Sequence, residues 1–242
     1  MSTEPLTLSI SGLEVAVVRK DIKNLHLGVY PPDGRVRVAV PLAVSDAAVR
    51  VAVIGKLRWI RQQRAAFAAQ ARQSEREMVG GESHYVFGER RRLSVVETAG
   101  RPAVRLRGRG TLEIAVRASS SPDERAELLQ RWYRERLREQ AAPLVAQWQT
   151  TLGVSVSAWG IKRMKTMWGA CNPDTRRIWL NLELAKKPLE CLEFVVVHEL
   201  VHLLSRHHDE RFHALMDEHL PSWRSARGTL NAGPLAAEAW DL

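Results

Sequence analysis

Cysteine is scarce in this chain of 242 residues, which contains only Cys171 and Cys191. The two do not form a CxxC pair and cannot supply a framework of bridges, so a small disulfide-stapled scaffold is excluded and a reducing compartment is favoured. No apolar run reaches the roughly 18 residues of a transmembrane helix. The N-terminal segment lacks the basic start and long apolar core of a secretory signal. We therefore expect a cytoplasmic protein that has no membrane as a partner.

Acidic residues are fewer than basic ones: 27 Asp and Glu stand against 36 Lys and Arg, which gives a net charge of +9. Arginines cluster at Arg90, Arg91 and Arg92, and again at Arg101, Arg105, Arg107 and Arg109. If the strands there pair as a meander, several would share one face and attract phosphate groups. Aromatic residues make up only 6% of the chain, so stacking on single-stranded bases is not expected. Nucleic acid is one predicted partner, and an ordinary solvated basic surface is the alternative.

Periodicity divides the chain into two regions of different character. Residues 1–120 contain short alternating apolar runs typical of β-strands, together with one long helix that begins at Ser45 and continues to Gln73. A clean helix start follows, with Ser121 as N-cap, proline in the first turn and glutamate three positions after the cap. No internal repeat is evident. The sequence predicts an α+β fold with a β-rich region over 1–120 and a second domain over 121–242.

The second domain begins with this helix, which Gly153 is expected to end. Its apolar positions predict a core stripe of Leu128, Trp132, Leu137, Leu144 and Trp148. Residues 154–159 and 177–182 are predicted strands, and Pro188 opens the next helix. The tail from Gly228 onward shows only weak periodicity.

The most informative motif is His198-Glu199-Leu200-Val201-His202, which follows an apolar run. Residues four apart lie on one face of a helix, so both imidazoles can bind one cation. Glu199 lies one step round the helix, where its carboxylate can reach a metal-activated water without being a ligand. The pattern predicts the helix of a zinc-dependent hydrolase, with Zn2+ as cofactor. The alternative is a partly exposed amphipathic helix end that binds no metal.

A third ligand is expected soon after this motif, because a catalytic zinc usually takes three protein ligands and keeps one position open. His208 lies ten residues after His198, the spacing of the extended HExxHxxGxxH signature. Ser205 stands where that signature has glycine, so a left-handed turn is harder to form there. We prefer His208 as the third ligand, and His207 is the alternative if the turn is tighter.

Further motifs precede and follow these histidines in an order that resembles a known family. They are MKTMWGAC over 164–171, IWLN over 178–181, VVHELVHL over 196–203, and then His208 and Phe212. Over about residues 125–230 this order is similar to that of YgjP-like metallopeptidases, with SprT-like proteases as more distant relatives. The β-rich front region also looks like the leading region of that family. Ala170 stands where the family usually has serine, and His207 where it often has asparagine.

The resemblance implies a zincin-like catalytic domain with zinc held by His198, His202 and His208 and with Glu199 as general base. The predicted function is hydrolysis of peptide bonds in a protein or peptide substrate. The alternative is a DNA- or nucleoprotein-associated binding module whose zinc is mainly structural or only conditionally active. An intact Glu199 favours the peptidase, since a structural site needs no base and is usually closed by four ligands.

An edge strand beside the metal is also implied, which would hold extended substrate by main-chain pairing. Trp168 and Gly169 would line that cleft, with tryptophan as an apolar wall and glycine permitting close backbone approach. The alternative is that Trp168 is a core anchor and Gly169 marks a bulge. Cys171 is expected to be a small buried hydrophobe rather than a ligand. Phe212 and Trp223 are expected to pack behind the metal helix.

Overall fold

Alternating valines build the first of two compact units, which lies within Met1–Arg72. The computed structural model describes residues 6–30, 34–69, 77–164 and 167–232 of the chain. The elements of this unit are β1 (Leu6–Ile10), β2 (Leu13–Lys20), β3 (His26–Tyr30), β4 (Arg35–Pro41), α1 (Asp46–Gly55) and α2 (Leu57–Ala69). The sheet has the order β1-β2-β4-β3, in which β2 and β4 are parallel and the outer pairs antiparallel. Its inward-facing residues form a core with Val49, Val53 and Ile60 of the helices.

The single long helix predicted for this region is two helices in the structure. Ser45 caps α1 as expected, its side chain accepting a hydrogen bond from the Ala48 amide. The helix ends at Gly55, and the Lys56 amide turns back to the Val53 and Ile54 carbonyls. A glycine inside a helix costs about 1 kcal/mol relative to alanine. Breaking the helix there still leaves Val53 and Ile60 buried on the same core, so the apolar pattern alone did not reveal the break.

The second compact unit lies within Gln73–Ala236 and contains the remaining elements. They are β5 (Ser83–Val86), β6 (Glu89–Glu97), β7 (Ala103–Arg107), β8 (Thr111–Val116), α3 (Pro122–Leu152), β9 (Ala158–Lys162), β10 (Gly169–Asn172), β11 (Arg177–Asn181), a 3-10 helix (Leu182–Lys186), α4 (Leu189–Val201), α5 (Glu210–His219) and α6 (Trp223–Ala232). Strands β5–β8 share one core with α3 and α4. Packing therefore divides the chain at Arg72, whereas the sequence predicted a division after residue 120, where the residue pattern changes. The predicted α+β class is confirmed.

The two four-stranded sheets repeat one topology that the sequence did not reveal. The second sheet has the order β5-β6-β8-β7, again with a parallel central pair and antiparallel outer pairs. Each first hairpin turns through two residues with positive φ, Ser11-Gly12 in one sheet and Phe87-Gly88 in the other. A serine-capped helix follows each sheet. The two sheets share their turn geometry and their alternation of buried residues. Many different side chains satisfy both, so the repeat is not visible as a repeated sequence.

Helix α3 packs its buried face into the core of the second unit. Its predicted start and end are confirmed: Ser121 and Glu124 form a reciprocal capping box, and Gly153 ends the helix in the left-handed conformation with φ of 63°. The buried stripe consists of Leu129, Tyr133, Leu137, Ala141, Val145, Trp148 and Leu152. The predicted Leu137 and Trp148 belong to it, but the predicted Leu128, Trp132 and Leu144 flank it half-buried. The stripe centre therefore lies one residue further along than the apolar pattern indicated.

A three-stranded sheet places the site on the second unit. Its order is β10-β11-β9, so β10 is an edge strand, antiparallel to β11, while β11 and β9 run parallel. Strand β9 begins later than predicted, at Ala158. Helix α6 was not predicted, and the rest of the weakly periodic tail, residues 233–242, lies outside the described residues. Among the helices of the described ranges, none combines the length and apolar character needed to cross a membrane.

Candidate metal centre

Helix α4 carries His198, is capped at its C-terminus by His202 and is buried on nearly every side. Its buried residues are Cys191, Leu192, Phe194, Val195, Val196, Val197, Glu199, Leu200 and Val201. A helix that is apolar all round lies in a core rather than on a surface. Phe194 stacks on Trp223 of α6 with ring centroids 6.2 Å apart. The core therefore fixes the orientation of α4, and because the C-cap His202 keeps helical backbone angles, His198 and His202 lie on one face.

The three predicted ligands converge. The Nε2 atom of His208 lies 3.1 Å from the Nε2 atoms of both His198 and His202. A tetrahedral zinc ion bound about 2.0–2.1 Å from each nitrogen requires nitrogens roughly 3.3 Å apart. These two spacings are close to that value, and the ligand atoms of all three histidines lie within 4.8 Å of one another, so the group can hold a single small cation. Among the described residues, this is the only group of three or more His, Cys, Asp or Glu side chains close enough to hold a metal.

The protonation of the cluster also fits metal binding. Burial lowers the pKa of His198 to about 3, with further lowering by the charges of His202, His208 and Arg227. Burial likewise lowers the pKa of His202 and of His208. The three imidazoles are therefore neutral at neutral pH, which is the form that binds a metal.

A buried serine shapes the turn from α4 to the third histidine. The Ser205 carbonyl lies 3.1 Å from Nδ1 of His202, which leaves Nε2 of that ring to face the cluster. The Ser205 hydroxyl donates to Asp209 Oδ1 at 2.9 Å, and the same oxygen caps α5 by accepting the Phe212 amide. Ser205 does not have positive φ. A left-handed residue, which serine forms less easily than glycine, is not needed here, because the turn closes with Ser205 outside the left-handed region.

The Phe212 ring packs against all three imidazoles, whereas the sequence predicted more generally that Phe212 packs behind the metal helix. Its ring centroid lies 4.7–4.9 Å from those of His198, His202 and His208. The structure brings His208 to the other two histidines, while His207 is exposed and outside the group. The hydrogen-bonded turn and the capped start of α5 thus bring His208, and not His207, to the other two histidines.

Glu199 lies beside the cluster without belonging to it. The residue is only 5% exposed, and burial raises the pKa of its carboxyl group to about 8. Its side chain packs against Gly169 so closely that a Cβ built on this glycine would lie 2.7 Å from the Glu199 Cγ and Cδ atoms. Gly169 therefore provides the space that the carboxyl group occupies.

A cleft of about 670 Å³ opens over these residues. One wall is the edge strand and its approach, with Trp168, Gly169, Ala170 and Cys171, and the other comes from α4 and α6. Trp168 and Gly169 both line the cleft as predicted. Lys187 Nζ lies 5.3 Å from the Trp168 ring centroid, on the ring face. Burial, together with the charge of Glu199, raises the pKa of the Cys171 thiol to about 11, so this side chain stays neutral beside the cleft.

Asn181 positions the edge-strand wall, a role that the sequence did not reveal although its segment was recognised as a motif. Its Nδ2 donates to the carbonyls of Met164 and Met167, both at 2.8 Å, and its own amide donates to the Trp168 carbonyl at 2.9 Å. The side chain is buried. These bonds hold the segment that leads into β10. The only available signal was an asparagine at the end of an apolar strand.

The arginine cluster is divided between two faces of the second sheet. Arg90 and Arg92 are exposed, whereas Arg91 is 8% exposed, pairs with Glu89 and donates to the Gly108 carbonyl at 2.9 Å. Strand alternation explains the division, because neighbouring residues point to opposite faces. Nucleic-acid binding through Arg90, Arg91 and Arg92 stays a prediction. Within this cluster, Arg91 is bonded inside the sheet, and Arg90 and Arg92 are the exposed members.

Three imidazoles and a buried glutamate beside a cleft and an edge strand define a zincin-like metallopeptidase domain as the class of this fold and site. The chain belongs to the YgjP-like family: the family model described as YgjP-like, metallopeptidase domain, matches residues 23–233. The resemblance found in the sequence is thereby confirmed. A search of the curated proteins gives no match.

Proposed function

We propose that the protein is a zinc-dependent peptidase that hydrolyses peptide bonds, with His198, His202 and His208 as metal ligands and Glu199 as general base. The observation that carries the proposal is the convergence of the three Nε2 atoms beside a buried carboxyl group in a cleft. Three neutral nitrogen ligands and an open position are the donor set of catalytic zinc. A bound zinc ion supplies Lewis-acid chemistry, making water a stronger acid and a carbonyl a stronger electrophile.

Glu199 moves the proton in the proposed reaction. A carboxylate oxygen of Glu199 accepts a proton from the water as the water oxygen bonds to the scissile carbonyl carbon. The same proton passes to the leaving amide nitrogen as the C–N bond breaks, which restores the carboxylate. Burial raises the pKa of the Glu199 carboxyl group to about 8, which makes its carboxylate a stronger base; zinc at the three histidines would favour that ionised form.

The edge strand binds the substrate in this proposal. Strand β10 pairs with β11 on one side only, so its other edge offers main-chain groups to an extended peptide. Trp168 provides an apolar wall at the entrance to this edge, and Gly169 lets Glu199 approach the strand. Cytoplasmic location is part of the proposal and rests on the scarcity of cysteine.

The proposal is tested by Glu199→Gln. We expect the variant to retain zinc, measured by elemental analysis, and to lose hydrolysis by on the order of 10²–10⁴-fold, the usual contribution of general acid–base catalysis. Comparison of protein termini generated in a cell extract by the wild type and by Glu199→Gln identifies the substrates. Undiminished cleavage by the zinc-loaded variant would remove Glu199 from its assigned role.

A DNA-associated module with structural zinc is the less favoured alternative. A structural site is usually closed by four ligands, and the histidine group contains three. The alternative would leave Glu199 without a purpose beside the cluster. Repeating the comparison of termini with and without added DNA tests it, because conditional activity predicts new termini only when DNA is present.

A further inference from the structure

The charges that line the cleft are unequal. Two arginines line it, Arg206 and Arg227, and the only acidic residue among its described lining residues is the buried Glu199. Arg206 forms an ion pair with Asp174 in the turn between β10 and β11. The charge of Arg206 is therefore balanced by Asp174, and the charge of Arg227 is the one for which a partner has to be sought.

Arg227 belongs to the face of α6 that lines the cleft. Leu230 and Asn231, three and four residues further along, also line it, as expected for neighbours on one helix face. Arg227 is exposed, and no carboxyl group within the described ranges forms an ion pair with it. Arg227 thus lines the same cleft as His198 and His208.

A second arginine on the same helix gives the contrast. Arg224 pairs with Asp217, with Nη2 3.0 Å from Oδ2, and its guanidinium carbon lies 4.5 Å from the Trp223 ring centroid. Arg224 does not line the cleft. The fold thus satisfies one arginine of α6 internally and leaves the other facing the place where substrate would lie.

We propose that Arg227 binds a carboxylate group of the substrate near the scissile bond, so that the preferred substrates are acidic peptides. The inference rests on the proposed peptidase function. Guanidinium groups bind carboxylates through two parallel hydrogen bonds, and an uncompensated positive charge in a cleft concentrates anionic ligands. Phe194, Val195 and Leu230 line the same side of the cleft, so an apolar residue is expected beside the acidic one.

The carboxylate can come from an Asp or Glu side chain or from a free C-terminus, and labelled peptides distinguish the two. One neutral sequence is used in which a single Glu is moved stepwise, each peptide having a Gln counterpart and each being made with a free or an amidated C-terminus. Binding is measured by fluorescence anisotropy to zinc-loaded Glu199→Gln, which holds peptide without cleaving it. Parallel measurements use this variant with Arg227→Gln, Arg227→Lys or Arg224→Gln added.

We expect one Glu position, or the free C-terminus, to tighten binding by about tenfold, the size of one charge-assisted contact. The preference should weaken at high salt, disappear with Arg227→Gln, return in part with Arg227→Lys and persist with Arg224→Gln. Equal binding of all peptides would overturn the inference, as would a preference that survives Arg227→Gln, because the metal rather than Arg227 would then be binding the carboxylate.

Cleavage by the wild type separates this inference from the proposed function. Cleavage of the peptides with no preference for acidic ones leaves the peptidase assignment intact and overturns the role of Arg227. Binding that prefers acidic peptides through Arg227, with no cleavage of any peptide, supports the binding role and contradicts the peptidase assignment.

Discussion

The carboxyl group of Glu199 occupies the space that a side chain would fill at Gly169. A Cβ atom at position 169 would lie 2.7 Å from both Cγ and Cδ of Glu199 and still closer to Oε1, well inside van der Waals contact. Gly169 does not have positive φ, so its backbone conformation is open to any residue. The requirement for glycine is therefore one of space, and it connects the edge strand to the proposed base.

Replacing Gly169 with alanine should displace the Glu199 carboxyl group while leaving the ligands in place. We expect kcat to fall by about 100-fold, the effect of a misplacement near 1 Å, with KM and zinc content little changed. Gly110→Ala is the matched control, because a Cβ there meets nothing within 4 Å. Full kcat in zinc-loaded Gly169→Ala would show that the carboxyl group is not positioned by this contact.

The third ligand is tested by a pair of neighbouring alanine variants. His208→Ala removes the Nε2 atom that lies 3.1 Å from both other ligand nitrogens, so most bound zinc should be lost on dialysis against a weak chelator. His207→Ala removes an exposed side chain outside the group and should retain zinc. Elemental analysis of both proteins measures this. Loss of zinc from His207→Ala but not from His208→Ala would make His207 the third ligand in place of His208.

Asp209 connects the metal centre to the start of α5. Its Oδ1 accepts hydrogen bonds from the Ser205 hydroxyl and the Phe212 amide, both at 2.9 Å. Asp209→Ala should loosen this turn and weaken zinc affinity by on the order of 10-fold, as loss of partners behind a ligand usually does. Asp209→Asn keeps an accepting oxygen and should lose less.

The control for Asp209 is a helix cap that is remote from the metal ligands in sequence and belongs to the other compact unit. Ser45→Ala removes the cap of α1 in the other compact unit, so it should lower thermal stability without changing zinc affinity in a competition titration. Equal zinc affinity in Asp209→Ala and the wild type would mean that the turn holds His208 without this bond.

Asn181 should affect substrate binding more than the chemical step. Asn181→Ala leaves the carbonyls of Met164 and Met167 without their donor, and a lost buried partner costs about 1–3 kcal/mol. We expect a lower free energy of unfolding and a raised KM, since the wall of the cleft loses its support. Asn172→Ala removes an exposed turn bond to the Thr175 amide and serves as control. A reduced kcat with unchanged KM would contradict this role.

The relationships that were predicted from sequence are local ones. His198 and His202 follow from helical spacing, and the ends of α3 follow from the capping residues around Ser121 and Gly153. Beyond that range the pattern was insufficient: whether His207 or His208 joins the cluster depends on the Ser205 hydrogen bonds in the turn. Helix α6 was missed because Gly228 and its polar neighbours give weak periodicity, and the helix is held by the packing of Trp223 on Phe194.

Contacts between distant segments were beyond the sequence for a different reason. The fit of Glu199 against Gly169, the support of the cleft wall by Asn181 and the position of Arg227 all depend on how α4, α6 and β10 pack. The arginine cluster shows the same limit, since alternation along β6 sends Arg91 to the buried side and its neighbours to solvent. Composition identified the positive charge, but only the fold shows which arginine faces the cleft.

The metal-free protein should become less stable as pH rises, because of Glu199. Its pKa is about 8 in the folded protein and 4.5 ordinarily, so the folded state keeps a proton that the unfolded chain releases, and stability is lost between these values at up to about 1.4 kcal/mol per pH unit. The metal-site histidines have lowered pKa values and act in the opposite sense, below about pH 6.5. The Cys171 and Cys191 thiols, whose pKa values are raised from 9.0 to about 11, act in the same sense as Glu199 but only above about pH 8, so pH 7–8 isolates Glu199. Urea unfolding in the presence of a chelator should show this decline up to about pH 8 in the wild type. The control Glu190→Gln, at an exposed site, should show the same decline, and Glu199→Gln should not. Parallel curves of unfolding free energy against pH for all three proteins would refute the raised pKa.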